Sequence, residues 1–295
     1  MRFYPLGYPV EIVASRATSI EAIFEAASKS WGAWPALFDE VPMRFEIETH
    51  DGLAPRSVPH FEAPAGWLRF SAGNDNFAVF ELEARTGYMS IGAGALRDGT
   101  GFRHHWLEAL VLTALDSVFF TPLHAACVAR DGAGTLLCGD SGAGKSSLAY
   151  ACARRGWTFV SDDAVHLAPG SEGVGVGGSN VIHLREPARA LFPELEVLET
   201  GEAPNGKQAI EIDSAAHGLN TARSAVASRC YFLRRRPGPV AVHSFPVDAA
   251  IQYFLKYLRP RDTTGAARHL RQFLSVEPSV LEYEHMDDAV LVLES

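Results

Sequence analysis

The 295-residue sequence predicts an α/β fold preceded by a mostly β N-terminal region, on three observations. Residues 1–102 alternate apolar and polar side chains in short runs of period two. From His104 the apolar spacing becomes helical. Beyond it, an apolar strand, a glycine-rich loop, a helix and a second strand follow one another in the order of an α/β core. The change of period divides the chain into a mostly β domain over 1–102 and an α/β domain over 103–295.

In the first domain a helix is expected over 19–28. Met43-Arg-Phe-Glu-Ile-Glu48 alternates apolar and polar residues, and 67–70, 77–83 and 88–91 are further short runs. Polar turns such as Gly73-Asn-Asp-Asn76 separate them, which predicts an antiparallel meander. In the second domain Leu107, Leu110, Val111, Ala114, Leu115 and Val118 fall on one helical face between 104 and 120. Strands are expected over 123–129 and 135–138, with a helix over 145–155 that Gly156 stops, and a strand over 158–161. The glycine-rich stretch 170–179 reads as a mobile surface loop, or as a lid over a site. The rest reads as a strand over 230–233, helices over 248–258 and 265–276, and a closing hairpin of 280–284 with 289–294. Arg234, Arg235 and Arg236 read as a solvated strand end.

Bulk composition narrows the function classes. With 47% hydrophobic and 21% charged residues the chain is built to fold around a core. A net charge of −9 removes the usual electrostatic reason to expect nucleic acid as a partner. Residues 1–10 lack a basic region followed by an apolar run, and no stretch of about 18 uncharged apolar residues occurs. The expectation is a soluble, cytoplasmic protein without a membrane partner. Cys127, Cys138, Cys152 and Cys230 stand in no metal-binding or redox spacing and read as buried thiols.

Three groups of residues carry chemistry. Gly139, Asp140, Ser141, Gly142, Ala143, Gly144, Lys145, Ser146 and Ser147 match G-x-x-x-x-G-K-[ST] between a strand and a helix. Backbone N–H groups of such a loop wrap phosphates, and the helix N-terminus adds a favourable dipole. Lys145 supplies a charge for the β- and γ-phosphates, and the Ser146 hydroxyl is suited to Mg²⁺. One helix later the strand Phe159-Val-Ser ends in Asp162 and Asp163. One carboxylate serves a metal ion, and the other can accept a proton from an attacking hydroxyl. Asp131-Gly132 signals a tight hairpin. If these are its two central residues, His124 lies opposite Gly139, beside the phosphates.

Leu123-His-Ala-Ala126, the loop 139–147, Arg155-Gly-Trp157 and Val160-Ser-Asp-Asp163 together resemble the kinase domain of bacterial HPr kinase/phosphorylase. A similar loop and aspartate pair occur in ATP-dependent phosphoenolpyruvate carboxykinase, of the same fold. The resemblance covers 123–167. It implies a P-loop kinase core of the HPr kinase/carboxykinase type, with Asp162 as general base hydrogen-bonded to His124, and with Asp163 and Ser146 serving the metal. Ser147 stands where HPr kinase has a glutamate, and the family's later Glu-Val-Arg-Gly-x-Gly is absent. Gly178-Ser-Asn-Val-Ile-His183 and Arg185-Glu186 stand in its region. The chain therefore resembles the broader group of HPr kinase-related kinases, some of which modify peptides at serine.

The expected activity is in-line transfer of the γ-phosphate of ATP, with Mg²⁺, to a hydroxyl of a peptide, protein or small molecule, with serine the favoured acceptor. Lys145, Asp162 and His124 would be the catalytic residues. Two alternatives stand beside it: a small-metabolite kinase or carboxykinase, and a nucleotide-gated binding protein that needs no general base. A homo-oligomer is left open.

Overall fold

The computed structural model describes residues 1–15, 20–55, 57–73, 75–97, 99–170, 173–202, 207–258 and 263–295. The chain forms two compact units, Met1–Phe120 and Thr121–Ser295. The change of period near 103 marks the start of a helical segment that ends the first unit, so the division falls after that helix and not before it.

The first unit contains β1 (Arg2–Phe3), β2 (Val10–Ser15), α1 (Ile20–Trp31), β3 (Met43–His50), β4 (His60–Glu62), β5 (Trp67–Ala72), β6 (Asn76–Glu81) and β7 (Thr86–Gly92). Short turns α2 (Ala93–Arg97) and α3 (Gly99–Gly101) lead into a π-helical turn, Phe102–Glu108, and α4 (Ala109–Val118). Ser19, the first residue of the helix expected over 19–28, and Asn74 of the polar turn lie outside the described residues. Among the described residues the seven strands form one sheet in the order β1-β2-β3-β7-β6-β5-β4. The meander expectation holds for β4 to β7, which pair antiparallel in sequence. It fails for β3, which lies parallel to both β2 and β7. Parallel neighbours need a long crossover, and α1 supplies it between β2 and β3. The alternation of β3 is as read: Met43, Phe45 and Ile47 are buried.

The second unit contains β8 (Thr121–Leu123), β9 (Ala125–Arg130), β10 (Ala133–Cys138), α5 (Lys145–Arg154), β11 (Thr158–Ser161), β12 (Val165–Leu167), β13 (Val174–Gly177) and β14 (Val181–Leu184). It continues through β15 (Thr200–Glu202), β16 (Gln208–Asp213), β17 (Ser224–Arg235), β18 (Ala241–Ser244), α6 (Val247–Tyr257), α7 (Thr263–Phe273), β19 (Ser279–Tyr283) and α8 (Met286–Glu294). Among the described residues the main sheet runs β11-β9-β10-β17-β13-β12-β8, with β19 joining β17 and β18. β14, β16 and β15 make a smaller sheet.

Period two sorts the central strands onto two cores. Ala126, Val128 and Leu137 pack with α5, α8 and the small sheet. Ala125, Cys127, Leu136 and Cys138 pack with α6 and α7. β9 is buried on both faces, which is why it reads as one continuous apolar run. All four cysteines are buried free thiols.

Two sequence expectations are corrected here. Residues 174–177 of the glycine-rich stretch are not loop or lid but β13, paired with β12 and β17; Ser171 and Glu172 lie outside the described residues. The closing hairpin does not form. β19 pairs parallel with β17, and 286–294 is helix α8. Its buried residues Ala289, Val290 and Leu293 fall at i, i+1 and i+4, a helical face, with Asp287 and Asp288 in the first turn where the dipole favours them. Among the described residues no helix is long and apolar enough to cross a membrane.

Candidate active site

The turn between β9 and β10 sets the register of the site. Asp131 and Gly132 both have positive φ, 53° and 82°, as a two-residue hairpin turn requires. Pairing runs from Ala133 with Arg130 to Cys138 with Ala125. The next positions along, Gly139 and His124, therefore come abreast at the end of the ladder. His124 is the bend at which the chain leaves β8, at one end of the strand path, and enters β9 near the other.

β10 ends at Cys138, and α5 begins at Lys145. The turn between them is tight: Gly142 and Gly144 adopt φ of 92° and 96°. A Cβ on Gly144 would stand 2.6 Å from the Tyr283 hydroxyl, whereas one on Gly142 would meet nothing within 4 Å. Gly144 caps α5 without a side-chain hydrogen bond, so the first amides of the helix keep free donors. The residues that carry them, Lys145, Ser146 and Ser147, line a cavity of about 810 Å³.

Lys145 is only 7% exposed. Its Nζ donates to the carbonyl of Gly139 at 2.7 Å and lies 3.1 Å from His124 Nε2. Burial pulls the ammonium pKa down, and the Asp163 carboxylate opposes that shift. Burial also lowers the His124 pKa, the Lys145 charge lowers it further, and Asp163 opposes both. The ring is therefore neutral near pH 7. With an ammonium facing Nε2, the remaining proton sits on Nδ1, which is 3.4 Å from Asp163 Oδ1. The result is a row, Lys145–His124–Asp163, across the loop.

The two aspartates diverge. Asp163 is two-thirds exposed. Asp162 is buried, and its Oδ2 accepts the backbone N–H of His183 at 2.7 Å, with the His183 ring nitrogen Nδ1 at 3.6 Å. That contact is the main reason the His183 pKa is raised, against the effect of burial. In place of the expected hydrogen bond between His124 and Asp162, the His124 ring has its carboxylate contact with Asp163. Consecutive residues leaving a strand point to opposite sides, so only one of the pair reaches the histidine. Ser146 Oγ lies 3.4 Å from the Asp162 carbonyl, which brings the candidate metal hydroxyl to the Asp162 side.

The loop is also held from outside. Arg185, following β14, donates to Ser141 Oγ at 2.7 Å. Asp140 Oδ1 accepts from the Tyr257 hydroxyl at 2.8 Å and from Lys256 at 3.1 Å, and these contacts lower its pKa. The Tyr257 ring packs on His124 with centroids 4.4 Å apart. Sequence reading assigned no role to Arg185, Lys256 or Tyr257. Tyr253 and Tyr257 are visible as an i, i+4 aromatic pair, but nothing local says that their helix returns to the loop. His183 and Arg185 reach the site through the small sheet, whose pairing lies in distant residues.

Residues 119–184 match the family model of the HPr Serine kinase C-terminal domain. That segment, under a quarter of the chain, is similar to the HPr kinase C-terminal domain. The matched segment includes His124, the whole loop, Asp162 and Asp163, and stops one residue before Arg185. No curated protein matches the chain. Among solved structures the chain is similar to the HPr(Ser) kinase/phosphatase from Coxiella burnetii, at 15% identity and a TM-score of 0.34, over 59% of this chain and 86% of that one.

Proposed function

We propose that the second unit binds ATP with Mg²⁺ and transfers the terminal phosphoryl group to a hydroxyl, with serine the favoured acceptor, in the cytoplasm. The observation that carries this reading is the Lys145–His124–Asp163 row laid across a phosphate-binding loop. Binding phosphates alone needs the loop and the lysine. A neutral imidazole joined to an exposed carboxylate is what a proton-accepting group needs. The name of the matched family supports serine as acceptor.

The residues present fit the nucleotide and the metal. The loop is open where phosphates would lie, since a Cβ on Gly142 meets no atom within 4 Å. Ser146, Asp162 and Asp163 are hard oxygen donors suited to Mg²⁺ and not to zinc. When bound, Mg²⁺ supplies neutralising charge on the phosphates. The loop amides and Lys145 hold the phosphate oxygens and stabilise the charge that builds on them. Asp163, oriented by the His124 Nδ1–H, accepts the proton of the attacking hydroxyl. Asp162 and Ser146 would hold the metal. This assignment exchanges the roles that resemblance implied, because Asp163 is the carboxylate that is both exposed and joined to the histidine.

The test is to incubate the protein with γ-labelled ATP, Mg²⁺ and a cell extract, and to identify what becomes labelled. A labelled serine-containing product that disappears with Lys145→Ala supports the reading. Nucleotide binding with no turnover against any extract fraction would instead make the chain a nucleotide-gated binding protein.

A further inference from the structure

We propose that Tyr253, on α6, is a positioning residue whose hydroxyl fastens Gly139, the first residue of the phosphate loop, to α6. The inference rests on the reading that this loop holds nucleotide phosphates. The Tyr253 hydroxyl accepts the Gly139 N–H at 2.9 Å and lies 2.6 Å from the Gly139 carbonyl and 3.1 Å from that of His124. A phenol has one proton, so it donates to one carbonyl at a time, and the nearer is that of Gly139. The same Gly139 carbonyl accepts from Lys145 Nζ at 2.7 Å. One hydroxyl thus holds both backbone polar groups of Gly139, the residue against whose carbonyl the Lys145 ammonium is braced.

The surroundings keep that hydroxyl in place. The ring packs edge-on against Phe232 and Phe254, with centroids at 5.1 and 5.3 Å. Burial raises the phenol pKa, so the group stays a neutral donor. One helical turn on, Tyr257 and Lys256 hold Asp140, and the Tyr257 ring covers His124. Successive turns of one helix therefore grip successive residues of the loop. Glycine-rich segments lose much conformational entropy on ordering. A loop already ordered before the nucleotide arrives binds it more tightly, because that cost is met in folding.

Tyr253→Phe in the full chain deletes the hydroxyl and keeps the ring. The dissociation constant for ATP with Mg²⁺ is expected to rise about tenfold, equivalent to ~1.4 kcal/mol. Amide exchange at Gly139 should speed up while Leu136 and Leu137 keep their protection. Two parallel variants separate the possible failures. If Lys145→Ala binds ATP as well as wild type does, the phosphate-loop reading itself fails. If Lys145→Ala loses binding while Tyr253→Phe binds like wild type, the positioning role is overturned. Tyr8→Phe removes a buried hydroxyl from the first unit, and should lower Tm without changing ATP affinity. If Tyr253→Phe behaves the same way, its hydroxyl is merely structural, and the proposal is overturned.

Discussion

Burial acts on Lys145 and His124 in the same direction but with different results. Both pKa values fall. Lysine starts far above neutrality and histidine close to it, so a downward shift favours the neutral form at the ring sooner than at the amine. Lys145→Ala should weaken ATP binding and cut transfer by several orders of magnitude; wild-type transfer in a folded variant would sink the loop assignment. Asp163→Asn should leave ATP affinity nearly intact and depress transfer by about 10²–10⁴-fold, the scale of a lost proton acceptor. Asp162→Asn should instead raise the Mg²⁺ concentration needed for half-maximal activity. Nucleotide affinity and turnover across a Mg²⁺ titration distinguish them, and the opposite pattern would restore the roles that resemblance implied. The position of His124 was legible in the sequence because a two-residue turn fixes every pair that follows it. Which aspartate meets that histidine was not. The answer depends on β14 arriving with the His183 amide to engage Asp162, and nothing near Asp162 in sequence encodes that arrival.

At the scale of elements, the loop–helix junction depends on Gly144 and the C-terminal end on α8. Gly144→Ala would force a side chain into positive φ and push its Cβ against the Tyr283 hydroxyl. The expected effect is a loss of about 1–3 kcal/mol, with weaker ATP binding, measured by denaturant unfolding and nucleotide titration. An alanine there that unfolds at the wild-type midpoint would show that the junction is not strained by a side chain. The α5 junction was readable because its glycines, lysine and flanking apolar runs are contiguous. The α8 segment was misread because Ala289, Val290, Leu291, Val292 and Leu293 are all apolar, and such a short run suits a strand as well as a helix. Burial separates them: Leu293 is 1% exposed and Leu291 is 56% exposed. Leu293→Ala should cost about 2–5 kcal/mol, and Leu291→Ala well under 1. Equal costs would contradict the helical face. The parallel placement of β3 escaped for a related reason, since alternation reports which face is buried but not which strand lies alongside.

At the scale of the whole molecule, the residues proposed for phosphoryl transfer all belong to the second unit. Thr121–Ser295 has its own cores on both faces of its main sheet. The loop, both aspartates, His124 and the α6 tyrosines fall within it. A unit that buries its own apolar faces and holds its own site is expected to fold alone. The fragment 121–295 should therefore unfold in one cooperative transition and bind ATP with Mg²⁺ at close to the affinity of the full chain. Circular dichroism and nucleotide titration check the two halves of that statement. A fragment that folds but binds at least tenfold more weakly would mean that the first unit contributes to nucleotide binding. A fragment that binds normally but labels no acceptor in an extract the full chain does label would assign acceptor recognition to Met1–Phe120. That separation has a physical basis: a loop and a lysine read phosphates that every acceptor reaction shares, whereas selecting one hydroxyl needs a surface shaped to its bearer.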